Sequence, residues 1–364
     1  MCRAAPNLKV QEILEEASVG AHCFDRPATA VGGGGDHSAE DAETDHHGGG
    51  RGEMRKVGIV GEILVEIMAV EPGEGFRSPI ALVGPFPSGA PAIFIDQMAR
   101  FGHPCGLVGC VGEDDFGQLN IDRLRADGVD VSAIRVHERA ATGSAFVRYR
   151  PDGSRDFVFN IRDSAAGQTT LTAEGRQMIA GCGHLHVMGS TLSAFGLAEA
   201  VEEALTIVKG KGGSVSFDPN LRKEILSAPG LTECLGRVLA ATDVFLPSGD
   251  ELFLMTEAKD EMGAARELLD RGVKVVVVKK GAEGAAWYDN ERILTAPAFG
   301  VTQVDPTGAG DCFGAVLLAC WLQGLNPTQA LRTANAAGAR AVMVKGPMEG
   351  AAFRADLEAW MAVH

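Results

Sequence analysis

The chain has 364 residues, 46% of them apolar, which is enough for one large α/β domain or two average ones. Asp and Glu number 48 against 33 Lys and Arg, a formal charge of −15, and that balance argues against the basic footprint of a non-specific nucleic-acid binder. It leaves room for a phosphorylated ligand, because a few local cations and backbone N–H groups can hold a phosphate on an acidic protein.

The eight cysteines include no C-x-x-C pair, and several lie in apolar runs. That usage predicts reduced core thiols and a cytoplasmic protein. No apolar stretch reaches the roughly 18 residues that cross a bilayer, and the N-terminus lacks the apolar segment of a signal peptide, so no membrane partner is expected.

In chain order, residues 1–53 come first as a low-complexity extension. Val31 to Gly52 holds GGGG, HH, GGG and five acidic residues, too little apolar surface to offset ordering entropy, so disorder and no part in catalysis are expected. His46 and His47 read as solvated tail residues rather than metal ligands. The folded part, 54–364, opens on the short strand KVGIV, followed by strand character from Ile63 to Val83. Ala90 to Phe101 predicts a helix, GLVGCV a buried strand and Phe116 to Ala126 an amphipathic helix. Ala141 to Arg150, PDG, then Arg155 to Asn160 reads as a β-hairpin with no helix between. HLHVMG, SVSFD, VFLP and VKVVVV are further strands, each followed by a helical stretch. Strands alternating with helices imply a mostly parallel central sheet covered on both faces, an α/β three-layer sandwich. The interrupting strands, about 63–86 and 134–162, suggest a small β-sheet lid over the carboxyl ends of the main sheet.

The strongest motif is VDPTGAGDCFGAVLLACWLQG, Val304 to Gly324. Small residues at Gly308, Ala309 and Gly310 let backbone approach a ligand, and the helix that follows offers unpaired N–H groups and the positive end of its dipole. Asp311 reads equally as a helix N-cap. A dinucleotide fingerprint fits poorly, since the motif is late in the chain, follows Pro306 and has no acid about 20 residues on; a Walker A lysine is absent. His184 and His186, as H-x-H on one strand, have no third ligand at useful spacing and read as a structural pair.

DPTGAGD before an apolar helix resembles the second signature of the PfkB carbohydrate kinases, and the resemblance spans about residues 56–360. It implies a ribokinase-like sandwich with a β lid, ATP and Mg²⁺ with a monovalent cation as a further expectation, and phosphorylation of a sugar hydroxyl. It implies Asp311 as catalytic base and Gly308, Ala309 and Gly310 as the anion hole. SFDPNLR places Asn220 and Arg222 near the nucleotide phosphates. LPSGDEL puts Ser248 where the family has Asn, and Glu251 where an acid holds magnesium through water. VVKKGAEG places Lys279, Gly281 and Gly284 beside the nucleotide, with Thr307 and Asn335 nearby.

The sugar side departs from the family pattern. Ser88 and Gly89 stand for a Gly-Gly pair, Ile93 occupies the usual Asn position, and Glu66 replaces an Asp that binds sugar hydroxyls. GEILVEIM and PSGAPAIFIDQ are most similar to ketose kinases, tagatose kinase in particular, which implies a ketose such as tagatose or fructose. 2-Keto-3-deoxygluconate and nucleosides remain open as acceptors, as do an inactive sugar sensor and a dinucleotide oxidoreductase. The apolar residues of the 141–160 hairpin predict a homodimer through the lid.

Overall fold

The computed structural model describes residues 54–151, 154–221 and 230–364. The expectations for the N-terminal extension, for the PDG turn at 152–153 and for Arg222 lie outside these residues.

The chain enters as β1 (Val57–Val60), β2 (Leu64–Ala69) and β3 (Leu82–Ser88), then α1 (Ala90–Arg100), β4 (Cys105–Gly112), α2 (Asp115–Ala126) and β5 (Ile134–His137). The hairpin β6 (Gly143–Tyr149) and β7 (Arg155–Asn160) precedes α3 (Ala173–Ala180), β8 (His184–Met188), α4 (Phe195–Gly210), β9 (Ser214–Asp218) and α5 (Leu231–Ala240). Next come β10 (Val244–Phe245), α6 (Glu261–Asp270), β11 (Val275–Lys279), β12 (Ala285–Tyr288) and β13 (Ile293–Ala296). Three helices close the chain, α7 (Ala309–Leu322), α8 (Pro327–Val342) and α9 (Arg354–Met361).

Nine strands form one sheet in the order β13-β12-β11-β10-β9-β8-β1-β4-β5, and four form a second in the order β3-β2-β6-β7. The large sheet is parallel except for β12 and β13. Its central strands are fully buried, as β1 (VGIV) and the valines of β11 show, because helices cover both faces. One apolar layer packs under α1, α2, α7, α8 and α9, and the other under α3 to α6. Ile134–His137 pairs with β4 at the edge of the large sheet, so the small sheet takes up the second insertion only from Gly143. No helix among the described residues is long and apolar enough to cross a membrane.

Two elements fix the site. From Cys312 to Cys320 every residue of α7 is buried, so α7 is apolar all round and is held between α1 and α8 rather than lying on the surface. In the small sheet, β2 pairs with β6 in parallel, so the two insertions close on each other. Val70, Leu82, Val83 and Val158 of this part of the chain are 36–51% exposed.

The H-x-H pair resolves into a buried chain of hydrogen bonds. His184 and His186 point to the α1–α7 face, where His186 stacks on Phe94 with ring centroids 3.7 Å apart and His184 meets Trp321 edge-on. His184 Nδ1 and Nε2 bond Ser214 Oγ and Ser216 Oγ at 2.7 and 2.8 Å, and His186 Nδ1 bonds Ser216 Oγ at 2.7 Å. Burial pushes His184 down to about 3 and His186 well below the usual histidine value. The unfolded chain therefore takes up protons below about pH 6.5 that the native state refuses, and stability falls as pH drops through that window. Asp96, which burial pushes up to about 8, acts in the opposite sense, since its contribution is lost as pH rises. The histidine term is isolated by difference. Between pH 6.5 and 5 the unfolding free energy of the parent should fall more steeply than that of His184→Gln, by about 1.4 kcal/mol per pH unit. Equal slopes in urea titrations would remove His184 from the account.

Candidate active site

The cavity at the carboxyl ends of β9 and β11 begins with a glycine. Gly308 has φ +79°, and a Cβ there would lie 2.2 Å from the Pro347 carbonyl oxygen, so only glycine fits. It is the N-cap of α7 and has no side chain to offer the first turn. Asp311 is the third residue of the helix, which rules out the N-cap reading. Its Oδ1 instead accepts the Asn220 amide Nδ2–H at 3.1 Å, and the residue is only 7% exposed. The Ala309 N–H donates to the Pro306 carbonyl at 3.4 Å, and Gly308 and Gly310 line the same space as Asp311.

Asn220 owes its place to the DPN turn after β9. Its φ is +41°, and its backbone N–H donates to Asp218 Oδ1 at 3.2 Å. Asp218 Oδ2 takes a very short hydrogen bond from Lys279 Nζ at the end of β11, closing a buried ion pair. Burial alone would lower the Lys279 ammonium, but Asp218 and Glu251 outweigh it and hold its pKa above the ordinary lysine value. Nζ lies 3.6 Å from where a Cβ on Gly310 would stand, so this cation sits at the α7 N-terminus.

Glu251 links two turns. Its Oε2 accepts Ser248 N–H and its Oε1 accepts Leu221 N–H, each at 2.7 Å, and Ser248 completes a capping box with it. Burial, then the Asp218 charge, pushes its pKa up.

These residues surround a cavity of about 130 Å³ lined by Asp311, Gly308, Gly310, Thr307, Asn220, Ser248, Glu251, Lys279, Asp218 and Arg155. A larger hollow of about 570 Å³ adjoins it, sharing Ser248 and Lys279 and reaching Gly281 and Lys280. Ala309 opens α7 beside them. Eight of the residues expected at the site thus meet in one place, and Gly281 lies next door.

The other expected residues that the structure describes do not line either hollow. Gly284, with φ +95°, has the Ala296 carbonyl oxygen 2.0 Å from where a Cβ would stand, and Asn335 Nδ2 donates to the carbonyls of Ala296 and Pro297 at 3.0 Å. Both hold the segment after β13. Glu66 and Ser88 lie on adjacent strands of the small sheet, two positions apart in register, and Ser88 Oγ donates to Glu66 Oε2 at 3.2 Å. Gly89 is the N-cap of α1, and Ile93 is buried with its Cγ2 3.2 Å from the Cβ position of Gly308. Glu62, the first acid of GEILVEIM, accepts Ser190 Oγ–H and Thr191 Oγ–H at 2.9 and 2.7 Å.

Comparisons with known proteins identify the family. Residues 54–352 match the pfkB family carbohydrate kinase pattern. The chain is 33% identical to the fructokinase of Klebsiella pneumoniae over 313 residues, 83% of this chain and 98% of that one. It is 31% identical to the 2-dehydro-3-deoxygluconokinase of Thermoproteus tenax over 299 residues, 80% and 89% of the two chains. An E. coli protein provisionally assigned as Ribokinase II, solved with ATP and Mg²⁺, superposes with a TM-score of 0.80 at 47% identity, covering 85% of this chain and 100% of that one.

A polar cavity at a buried helix N-terminus, on a ribokinase-like sandwich, makes this a phosphotransferase acting on an alcohol group. The chain belongs to the pfkB family of carbohydrate kinases and is a sugar kinase of that family.

Proposed function

We propose that the chain transfers the γ-phosphoryl group of ATP to a hydroxyl of a small ketose such as tagatose or fructose. The single observation that carries this reading is Asp311, a buried carboxylate in the first turn of α7 inside the polar cavity. The sugar oxygen attacks the γ-phosphorus, the bond from that phosphorus to the bridging oxygen of ADP breaks, and the hydroxyl proton passes to Asp311. Asn220 orients the carboxylate by its hydrogen bond to Oδ1. The amides around Gly308, Ala309 and Gly310, with Lys279, stabilise charge on the group in transit. ATP would lie along the hollow between Ser248 and Gly281.

Magnesium fits this donor set as an ion carried by the nucleotide. Among the described residues no group of three or more His, Cys, Asp or Glu could hold a bare ion, and both Glu251 oxygens already accept backbone N–H groups. Glu251 and Asp218 would hold it through water, and it would supply neutralisation of the phosphate charge. On the sugar side, Glu66, Ser88, Gly89 and Ile93 remain proposed contacts, with Ile93 offering an apolar wall where a hydrogen bond is usual.

ADP release measured over tagatose, fructose, 2-keto-3-deoxygluconate and nucleosides tests the reading. A ketose giving the highest kcat/KM supports it, and no turnover with any acceptor would favour a sugar sensor. The exposed Val70, Leu82, Val83 and Val158 support dimerisation through the small sheet. Sedimentation at micromolar concentration should show a dimer, and Val158→Lys with Leu82→Lys should shift it to monomer; a parent that sediments as a monomer would end that expectation.

A further inference from the structure

We propose that Arg155 is a further catalytic residue, carried into the site on the small sheet, where its guanidinium holds the phosphoryl group in transit, and that Tyr149 is the positioning residue that latches it there. The inference rests on the sugar-kinase reading above.

Three arginines stand at the end of the β6–β7 hairpin, and two of them are consumed by structure. Arg148 Nη1 donates to the carbonyls of Glu74 and Gly75 at 3.0 and 2.8 Å. Arg150 grips Asp156 through both Nε and Nη2, and Asp156 Oδ2 also accepts Gly75 N–H. Arg155 differs. It has no carboxylate within ion-pair distance among the described residues, and its guanidinium lies 6.0 Å from the Tyr149 ring centroid and 5.4 Å from that of Phe157. It nevertheless lines the same cavity as Asp311, Gly308 and Gly310. Among the described residues the other side-chain cation there, Lys279, is already paired with Asp218. An arginine with no carboxylate partner among the described residues, facing a helix N-terminus, is a fork of donors suited to oxyanions.

The latch is independent of that placement. Tyr149 is the cross-strand partner of Arg155. Its hydroxyl donates to Asp305 Oδ1 at 2.5 Å and lies 3.0 Å from Thr307 Oγ1. Asp305 is 1% exposed and also accepts Thr307 N–H at 3.0 Å and Gly346 N–H at 2.9 Å. One phenol therefore ties the hairpin to the turn that shapes the anion hole. Burial, then the Asp305 carboxylate, pushes the Tyr149 phenol up, so it stays a donor at neutral pH. Charge on a transferring phosphoryl group spreads over its three equatorial oxygens, and a preorganised arginine facing them stabilises that state more than the bound ATP.

The test uses the full-length enzyme, ATP and the acceptor with the highest turnover in the sugar panel. Arg155→Gln should lower kcat by about 10² to 10³, the usual worth of one such donor, with sugar KM within about threefold. It should also abolish the extra affinity that aluminium fluoride gives to ADP in the presence of sugar, read by calorimetry. Arg155→Lys should restore part of both. Tyr149→Phe should lower kcat by about tenfold with ATP affinity and thermal midpoint unchanged, because it removes the latch and not the charge. Unchanged kcat and aluminium fluoride affinity in Arg155→Gln would overturn the proposal while leaving the sugar-kinase reading intact. A rise in KM confined to an acidic sugar, with kcat preserved, would overturn it in favour of a substrate carboxylate as the partner. A parent enzyme that releases no ADP with any sugar would instead defeat the reading on which the proposal rests.

Discussion

Asp311→Asn should lower kcat by about 10² to 10⁴ on the true sugar, the usual worth of a general base. Asparagine has nearly the same shape, and its Oδ1 can still accept the Asn220 amide that now holds the carboxylate. Since Gly308, not Asp311, caps α7, no cap is lost and stability should hold. ATP affinity should change little, because the proposed anion hole uses backbone groups. Steady-state kinetics with an independent nucleotide-binding measurement separate these effects. Turnover equal to the parent's would refute the assignment. The sugar must be identified first, because a poor acceptor can hide the chemical step behind binding.

Lys279→Met should destabilise the fold by about 3–5 kcal/mol, the penalty for leaving one member of a buried pair without its partner. Asp218 is 1% exposed. Burial, the dominant influence on its carboxyl, then has no ammonium to oppose it, so the group takes up a proton on folding. That uptake costs more as pH rises, and the deficit should be larger at pH 8 than at pH 6. Adding Asp218→Asn should recover part of the loss, since no charge is then stranded. Urea titrations of the parent, the single and the double variant read all three values. A single variant as stable as the parent would mean that water, not Lys279, satisfies Asp218.

Much of this was legible in the sequence for local reasons. Alternating β-branched runs and helical periods report a buried parallel sheet, and DPTGAGD before an apolar run reports a helix N-terminus facing a ligand. What escaped was set by distance along the chain or by a single turn. The Asp218–Lys279 pair joins residues 61 apart, and nothing local in SFDPNLR or VVKKG announces it. Arg155 and Tyr149 enter the site only because the β6–β7 hairpin folds over it, and their own segment reads as ordinary strand. Ile134–His137 is short and β-branched, and pattern alone cannot say which sheet it joins; β4 claims it at the edge. The cap alternative for Asp311 fails by three residues, because Gly308 in a left-handed conformation is the N-cap and starts the helix earlier than a side-chain cap would. Glu62 is one of the two acids of GEILVEIM, and nothing local announces its hydrogen bonds from Ser190 and Thr191, about 130 residues on.

The small sheet is assembled from two insertions that meet through the parallel β2–β6 pair, with β4, α1 and α2 lying between them in sequence. Neither the β2–β3 pair nor the β6–β7 hairpin has much to bury alone, and two-stranded ribbons are marginal in water. Pairing across that gap carries the loop-closure cost of a long-range contact, repaid only once the β1–β4 framework holds both insertions in register. That cost predicts folding from the large sheet outward, with the small sheet arriving late on the folding pathway.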